Sequence, residues 1–323
     1  MAFDDPASHA DGAVTAPYDS YFLTLPLARR RFQHRWWLHV LLLLLTVATT
    51  ALVGASYYAE FLSAFGTRPI ALDWAIAARG LIFSGAVLGI LGAHEMGHYL
   101  ACRVYDVDAT LPYFIPFPLL SISGTLGAVI KIREPFPSRK ALFDIGVAGP
   151  IAGFVVLVPI LFYSLAHSTV VRAPDPTTGI RFGEPLLFQF AVWLKFGTVG
   201  PGYQLNLHPT GFGVWFGMLA TAWNLLPFGQ LDGGHLTYAT IGRRSRYVSL
   251  ATVAASVIMC FVSASWLVMT LMMVAMLYFL GPGHPRPLDE YEPLGRGRNA
   301  VALFALVMFI LCFTPVPLEI IGR

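Results

Sequence analysis

Long apolar runs separated by short polar segments dominate this chain of 323 residues. A helix that crosses about 30 Å of hydrocarbon needs about 20 predominantly apolar residues. Runs of that kind lie near residues 37–58, 75–101, 141–165, 210–227 and 299–317. A further run, 247–281, is long enough for one tilted helix or for two short helices that form a hairpin. The pattern therefore predicts an α-helical polytopic membrane protein with about six to seven transmembrane helices.

The segment between the second and third runs is not a continuous helix. Five prolines interrupt it: Pro112, Pro116, Pro118, Pro135 and Pro137. Proline lacks the backbone N–H that a helix interior needs. Within this segment, apolar residues alternate over 125–133 in the manner of a strand. Because irregular backbone at membrane depth needs protein or water to satisfy it, we predict a membrane-associated β-hairpin or a re-entrant segment.

The rest of the chain predicts one transmembrane domain, 36–317, between two tails. The N-terminal tail is 1–35 and is cytoplasmic in the orientation derived below, and the C-terminal tail is 318–323. The stretch 167–208 is rich in proline, glycine and charge, which indicates a loop outside the membrane. Its part 186–196 is amphipathic, so we predict a short helix at the membrane interface.

Composition and charge give the class and the orientation. The chain is 56% hydrophobic and 12% charged, with a mean hydropathy of +0.65, which excludes a soluble domain. If 247–281 is a hairpin and the N-terminus is cytoplasmic, 15 of the 21 basic residues fall on the cytoplasmic side. They are Arg29, Arg30, Arg31, Arg35, Arg103, Lys131, Arg133, Arg139, Lys140, Arg243, Arg244, Arg246, Arg286, Arg296 and Arg298.

This bias favours seven spans, because six would place the last three of these residues outside. It predicts a multi-pass integral protein of the cell's plasma or inner membrane, with the end of the second span toward the cytoplasm. It also accounts for the net charge of +3, so the sequence gives no support to nucleic-acid binding. The lipid bilayer is the partner that composition implies.

The candidate chemistry begins with His94, Glu95 and His98 at the end of the second run. Two histidines four residues apart on a helix project from one face and can hold a single zinc. The glutamate between them can take a proton from water that the zinc activates. Ionisable groups at membrane depth are costly to bury and mark a functional site. The alternative is a pair of helix histidines satisfied by neighbouring carbonyl groups.

Two histidines leave a catalytic zinc one protein ligand short. The chain after His98 lacks the glycine and histidine of the metzincin motif. Asp232 is the candidate third ligand, because Pro227 and Gly229 break the preceding helix and allow the chain to turn back at the same depth. The alternative is that Asp232 caps the following helix. His235 is the next candidate, although a surface position or a contact to the ligands fits it better.

Asn224 is the remaining candidate for a catalytic role. Its amide could donate to an oxyanion that forms beside the zinc, or it could bond across helices as amides do in membrane bundles. Asp144, near the end of another run, is interpreted as a polar group at a helix end. The three cysteines have no metal-ligand spacing and are predicted to be buried thiols: Cys102, Cys260 and Cys312.

These motifs resemble the site-2 protease family of intramembrane zinc metalloproteases. Residues 94–98, 224–233 and 148–153 match that family in order and spacing, and the resemblance covers about 75–245. The stretch Gly124–Ala128, Gly-Thr-Leu-Gly-Ala, is similar to one found in some members. The sequence offers no segment large enough for a PDZ domain and no CBS pair after the last span, so we expect the type that lacks both.

The resemblance implies one zinc per chain, with His94, His98 and Asp232 as ligands and Glu95 as the general base and then acid. It implies a catalytic core over about 75–245 and a transmembrane helix of another protein as the substrate of regulated intramembrane proteolysis. That helix must unwind before cleavage. The segment 125–133 offers an edge on which the unwound substrate could pair.

Other interpretations explain part of the pattern. A metal-ion transporter would use histidine and aspartate at the midplane, but it gives Glu95 no task. A di-iron oxidase would need more clustered histidines than the nine present, which are dispersed. A proteolytically inactive scaffold would not need a complete set of ligands and base. The sequence names neither the substrate nor the trigger, and it specifies no oligomeric state.

Overall fold

A computed structural model of the chain describes residues 35–65, 70, 73–118, 122–173, 179–281 and 283–321. Almost all of the predicted N-terminal tail, residues 1–34, lies outside the described residues. The helices are α1 Trp36–Ser63, α2 Trp74–Val104, α3 Arg139–Ala166, α4 Leu186–Phe196, α5 Pro209–Asn224, α6 Asp232–Ile241, α7 Ser245–Met259, α8 Trp266–Leu280 and α9 Gly295–Cys312. The strands are β1 Tyr113–Pro116, β2 Thr125–Val129, β3 Thr169–Arg172, β4 Gly179–Phe182, β5 Tyr203–Asn206 and β6 Leu318–Ile321. They pair antiparallel as β1 with β2, β3 with β5 and β4 with β6.

Among the described residues, four helices are long and apolar enough to cross a membrane: α1, α2, α3 and α9. The protein is therefore a mainly helical polytopic membrane protein. The run 247–281 is divided into α7 and α8, which pack against each other as the hairpin prediction requires. Each has 15 residues and α5 has 16, so these three helices are shorter than α1, α2, α3 and α9.

Glycines allow the three central helices to approach closely. Gly80 of α2 lies so near α1 that a Cβ atom there would come within 2.1 Å of the Ala51 carbonyl oxygen. Nearer the other end of α2, a Cβ at Gly97 would come within 2.4 Å of the Ala148 carbonyl oxygen of α3. Small residues at helix contacts are typical of membrane bundles, where close van der Waals packing drives association. The packing fixes α2 between α1 and α3.

The β1–β2 pair follows α1 along much of its length. Three hydrogen bonds tie the two together at increasing distance along the helix: His39 Nδ1 with the Pro112 carbonyl oxygen at 3.1 Å, Thr49 Oγ1 to that of Gly124 at 2.8 Å, and Tyr57 Oη to that of Ile122 at 2.7 Å. The 18 residues from His39 to Tyr57 rise about 27 Å along a helix. The segment from 112 to 122 therefore extends over a distance close to the thickness of a bilayer core.

Helix α4 and strands β3, β4, β5 and β6 lie at the end of the bundle where α1 ends and α2 begins, which we call the far end. The predicted short helix is present as α4 with the bounds Leu186–Phe196. Residues 318–321, which the sequence assigns to the C-terminal tail, form β6 and pair with β4. The predicted burial of the thiols holds for Cys102 and Cys312, whereas Cys260 is half-buried.

Candidate metal centre

Three side chains from two helices converge inside the bundle. His94 and His98 of α2 are 6% and 7% exposed, and their Nε2 atoms lie 3.1 Å apart. Asp232, the first residue of α6, places Oδ2 3.1 Å from His94 Nε2 and Oδ1 3.3 Å from His98 Nε2. The fold thus joins the predicted pair to the predicted third ligand.

The donor set fits a zinc ion. Zinc–ligand bonds of about 2.0–2.1 Å at tetrahedral angles place neighbouring ligand atoms about 3.3–3.4 Å apart. The three distances above are close to that value, and one ligand atom from each residue lies within 4.8 Å of the others. Asp232 Oδ2 is buried and, among the described residues, makes no hydrogen bond. Its electron pairs point toward the histidines, as those of a metal ligand do.

The histidine rings are held in the orientation that ligation needs. His98 Nδ1 lies 2.7 Å from the Ile145 carbonyl oxygen. A carbonyl oxygen only accepts, so Nδ1 carries the proton and Nε2 presents its lone pair to the other ligands. Gly149 makes room for this ring, because a Cβ there would lie 2.1 Å from His98 Nε2. This contact explains why glycine follows Ala148 in the motif of α3.

Asp232 reaches the site through a tight turn after α5. Gly229 has φ 52°, a left-handed conformation that glycine adopts without strain. A Cβ at Gly233 would lie 2.1 Å from the Leu225 carbonyl oxygen, and one at Gly234 would lie 2.3 Å from that of Gly229. The start of α6 therefore packs directly on the end of α5. Leu231 occupies the N-cap position and no side chain caps α6, so the capping interpretation of Asp232 is wrong.

Glu95 lies beside the ligands and is not one of the clustered ligand residues. It is 9% exposed, and the backbone N–H of Ile130 lies beside its carboxylate. The segment that continues β2 thus passes beside this carboxylate. Asn224, the last residue of α5, places Nδ2 3.3 Å from His94 Nε2. The amide contacts a neighbouring helix, as the structural alternative expects, and it does so at the metal ligands.

Two polar contacts near the site were not predicted. His235 is half-buried rather than on the surface, and its Nδ1 lies 2.5 Å from Nε2 of His284, in the α8–α9 connection. Asp144 accepts two hydrogen bonds from Arg298 of α9. Arg298 Nε lies 2.8 Å from Asp144 Oδ1, and Arg298 Nη2 lies 2.6 Å from Asp144 Oδ2. The Tyr105 hydroxyl also donates to Asp144. For Asp144, the only signal in the sequence was that a charged residue lies inside an apolar run.

The Asp144–Arg298 pair ties α3 to α9 and should contribute to stability, not to metal binding. We expect Asp144→Asn to lower the thermal stability of the purified protein and to leave its zinc content unchanged. This ion pair is bidentate and its side chains are about one third exposed. Pairs of this kind have a coupling free energy of about 1 kcal/mol. A double-mutant cycle with Arg298→Gln measures that coupling. Additive losses, or loss of zinc in either variant, would contradict this assignment.

A buried zinc-fitting triad of two histidines and an aspartate, with a glutamate beside it in a helical membrane bundle, defines a candidate membrane metallopeptidase. The sequence model of peptidase family M50 matches residues 82–267, more than half of the chain. The chain belongs to this family, the site-2 protease family, which confirms the resemblance.

Curated relatives agree with this membership. "Probable zinc metalloprotease EGY1, chloroplastic" of Arabidopsis thaliana is 30% identical over 240 residues, which are 71% of this chain and 42% of that protein. "Probable zinc metalloprotease EGY2, chloroplastic" of Oryza sativa subsp. indica is 32% identical over 209 residues, 62% of this chain and 36% of that protein. The chain spans less than half the length of these relatives. No solved structure matches it.

Proposed function

We propose that this chain is an intramembrane zinc endopeptidase that hydrolyses a peptide bond within or near a transmembrane helix of a membrane-protein substrate. It uses one zinc per chain, held by His94, His98 and Asp232. The observation that carries the proposal is the convergence of these three ligands beside Glu95 inside an apolar bundle. Membership of peptidase family M50 supports the same chemistry.

Each residue of the metal site has its own role in the proposed hydrolysis. When bound, zinc supplies the Lewis acidity that activates water and polarises a carbonyl group. Glu95 takes a proton from the attacking water and passes it to the leaving amine. The Asn224 amide is placed to donate to the oxygen on which negative charge develops. A metal-ion transporter or an inactive scaffold would leave Glu95 without a task, although its burial beside three ligands is costly.

We infer that the chain crosses the plasma or inner membrane of the cell seven times. Its N-terminus and the opening of the metal site face the cytoplasm. Basic residues from separate segments meet near the metal end of the bundle, where α2 ends. They are paired as Arg139 with carbonyl groups of α6, Lys140 with Glu292, Arg243 with Glu290 and Arg298 with Asp144. The excess of basic residues on cytoplasmic loops supports this orientation.

We infer that the substrate unwinds and pairs with the β2 edge that faces away from β1. The Lys131 carbonyl and the Arg133 N–H bond to the β1 side of the pair. Backbone groups alternate along a strand, so Ile130 directs its N–H the other way, and there it reaches Glu95. Ala128 lies two residues earlier on that same edge. An extended peptide added there would be guided to the catalytic carboxylate.

Removing one backbone donor from this edge tests the pairing. We expect Ala128→Pro to reduce the cleavage rate about tenfold and to keep one zinc per chain, because proline lacks the N–H that a paired strand offers. Ala128→Ser keeps that donor and is the matched control. The readouts are the cleavage rate of a test transmembrane protein and the metal content.

The substrate provides the complementary test. A glycine or proline placed near the scissile bond should speed cleavage, because it lowers the free energy of unwinding the helix. A rate that is insensitive to both changes, with zinc retained in Ala128→Pro, would remove the pairing and leave the zinc chemistry untouched.

A further inference from the structure

A large cavity lies at the far end of the bundle, remote from the metal centre. Its volume is about 1220 Å³. It is open on one side and is lined by the end of α1, helices α4 and α5, and strands β4 and β5. Aromatic side chains dominate its wall: Tyr57, Phe182, Trp193, Phe212 and Trp215. A cavity of this size could hold several side chains of a polypeptide.

The cavity is aromatic and negatively charged. Glu60 and Glu184 line it, and Arg181 is its single basic residue among those described. Arg181 lies 3.8 Å from Glu319 of β6 and its charge also acts on Glu184, and with two acidic residues against one basic residue the lining keeps an excess of negative charge. The carboxylates of Glu60 and Glu184 make no hydrogen bond or ion pair with any part of the chain that the structure describes. Aromatic faces and carboxylates together attract lysine and arginine side chains.

The cavity is continuous with the strand that leads to Glu95. Ile122 lines it and accepts a hydrogen bond from Tyr57 at 2.7 Å. The eight residue-to-residue steps from Ile122 to Ile130, if extended, cover about 27 Å, and Ile130 lies beside Glu95. A polypeptide that lies along β2 with its scissile bond at Glu95 would therefore bring its flanking segment to the cavity.

We propose that this cavity binds the far-side flanking segment of the membrane-protein substrate and selects segments that carry lysine or arginine among aromatic or apolar residues. The inference rests on the proposed endopeptidase function and adds a specificity determinant to it. The two carboxylates recognise the basic side chains, and the aromatic wall covers the apolar ones. Cleavage would then depend on sequence about 27 Å from the bond that is broken.

Charge in the flank and in the cavity can be varied together. Full-length protein in liposomes is given two substrates with the same transmembrane helix, one with two lysines in the far-side flank and one with two glutamines. We expect wild type to favour the lysine substrate in kcat/KM. The double variant Glu60→Gln, Glu184→Gln should lower that preference about fivefold, a size consistent with two partly exposed ion pairs. Lys195→Gln, on α4 outside the cavity lining, is the control at the same end.

Cross-linking measures binding without cleavage. In the Glu95→Gln background and with an added copper-catalysed oxidant, Gln189→Cys in the cavity should form a disulfide with a single cysteine in the substrate flank, and Lys195→Cys should not. Cross-linking at Gln189→Cys without cleavage by wild type would overturn the endopeptidase function and keep the cavity as a binding site. Cleavage without any flank preference or cross-link, as expected if lipid fills the cavity, would overturn the cavity proposal alone.

Discussion

Glu95→Gln is expected to abolish peptide-bond hydrolysis while the protein keeps one zinc per chain. Glu95 lies outside the group of ligand atoms, so its carboxylate is not needed to hold the ion. Glutamine has nearly the same shape and fits the same place beside the Ile130 N–H, but it cannot take a proton from water. Loss of a general base lowers rates by about 10² to 10⁴.

The measurement is the cleavage rate of a membrane substrate beside the zinc content of the same preparation. Glu292→Gln is the matched control, because it removes a carboxylate that pairs with Lys140 and has no contact with the triad in the described residues. Wild-type cleavage by Glu95→Gln would exclude the assigned mechanism. Zinc loss in that variant would instead make Glu95 a ligand.

Asp232→Ala is expected to lose both zinc and activity. The carboxylate contributes one of three protein ligands and reaches both histidines within 3.3 Å. Alanine leaves two neutral imidazoles, which is fewer protein ligands than a catalytic zinc site uses. We expect the affinity for zinc, measured by competition with a chelator, to fall at least about a hundredfold, which exceeds the effect of losing an outer contact.

Two further variants make this result specific. Asp144→Asn removes another carboxylate of the bundle and should retain zinc, because Asp144 pairs with Arg298. His235→Gln tests the remaining candidate ligand and should also retain zinc. Unchanged zinc content in Asp232→Ala would place the third ligand elsewhere, and loss of zinc in His235→Gln would then identify it. Together with Glu95→Gln, the series separates a peptidase from a metal carrier, which would need the ligands but not the base.

The helices follow from local patterns, which is why the sequence predicts them well. The apolar runs 37–58, 75–101 and 141–165 lie inside α1, α2 and α3, and the division of 247–281 is present as α7 and α8. Hydrophobic length and helix periodicity depend on neighbouring residues alone. For the same reason, the spacing of His94 and His98 was enough to place their side chains on one helix face.

The assembly of the site depends on contacts that no local pattern records. Asp232 follows His94 by more than a hundred residues, and only the packing of α5 and α6 against α2 and α3 brings the two within 3.1 Å. The sequence contained the glycines but not the surfaces they meet, such as Gly149 against the His98 ring. The C-terminal segment illustrates the same limit, because β6 forms only where β4 offers its edge.

The sequence by itself determined the class of protein, the course of its apolar helices and the residue types of a zinc site. The tertiary structure decided which acidic group joins the histidines, that β2 leads to Glu95, and that an anionic aromatic cavity lies at the other end of that path. The physical reason is the range of the interactions. Burial and helix propensity act between near neighbours, whereas metal ligation, ion pairing and cavity formation depend on close packing between distant segments.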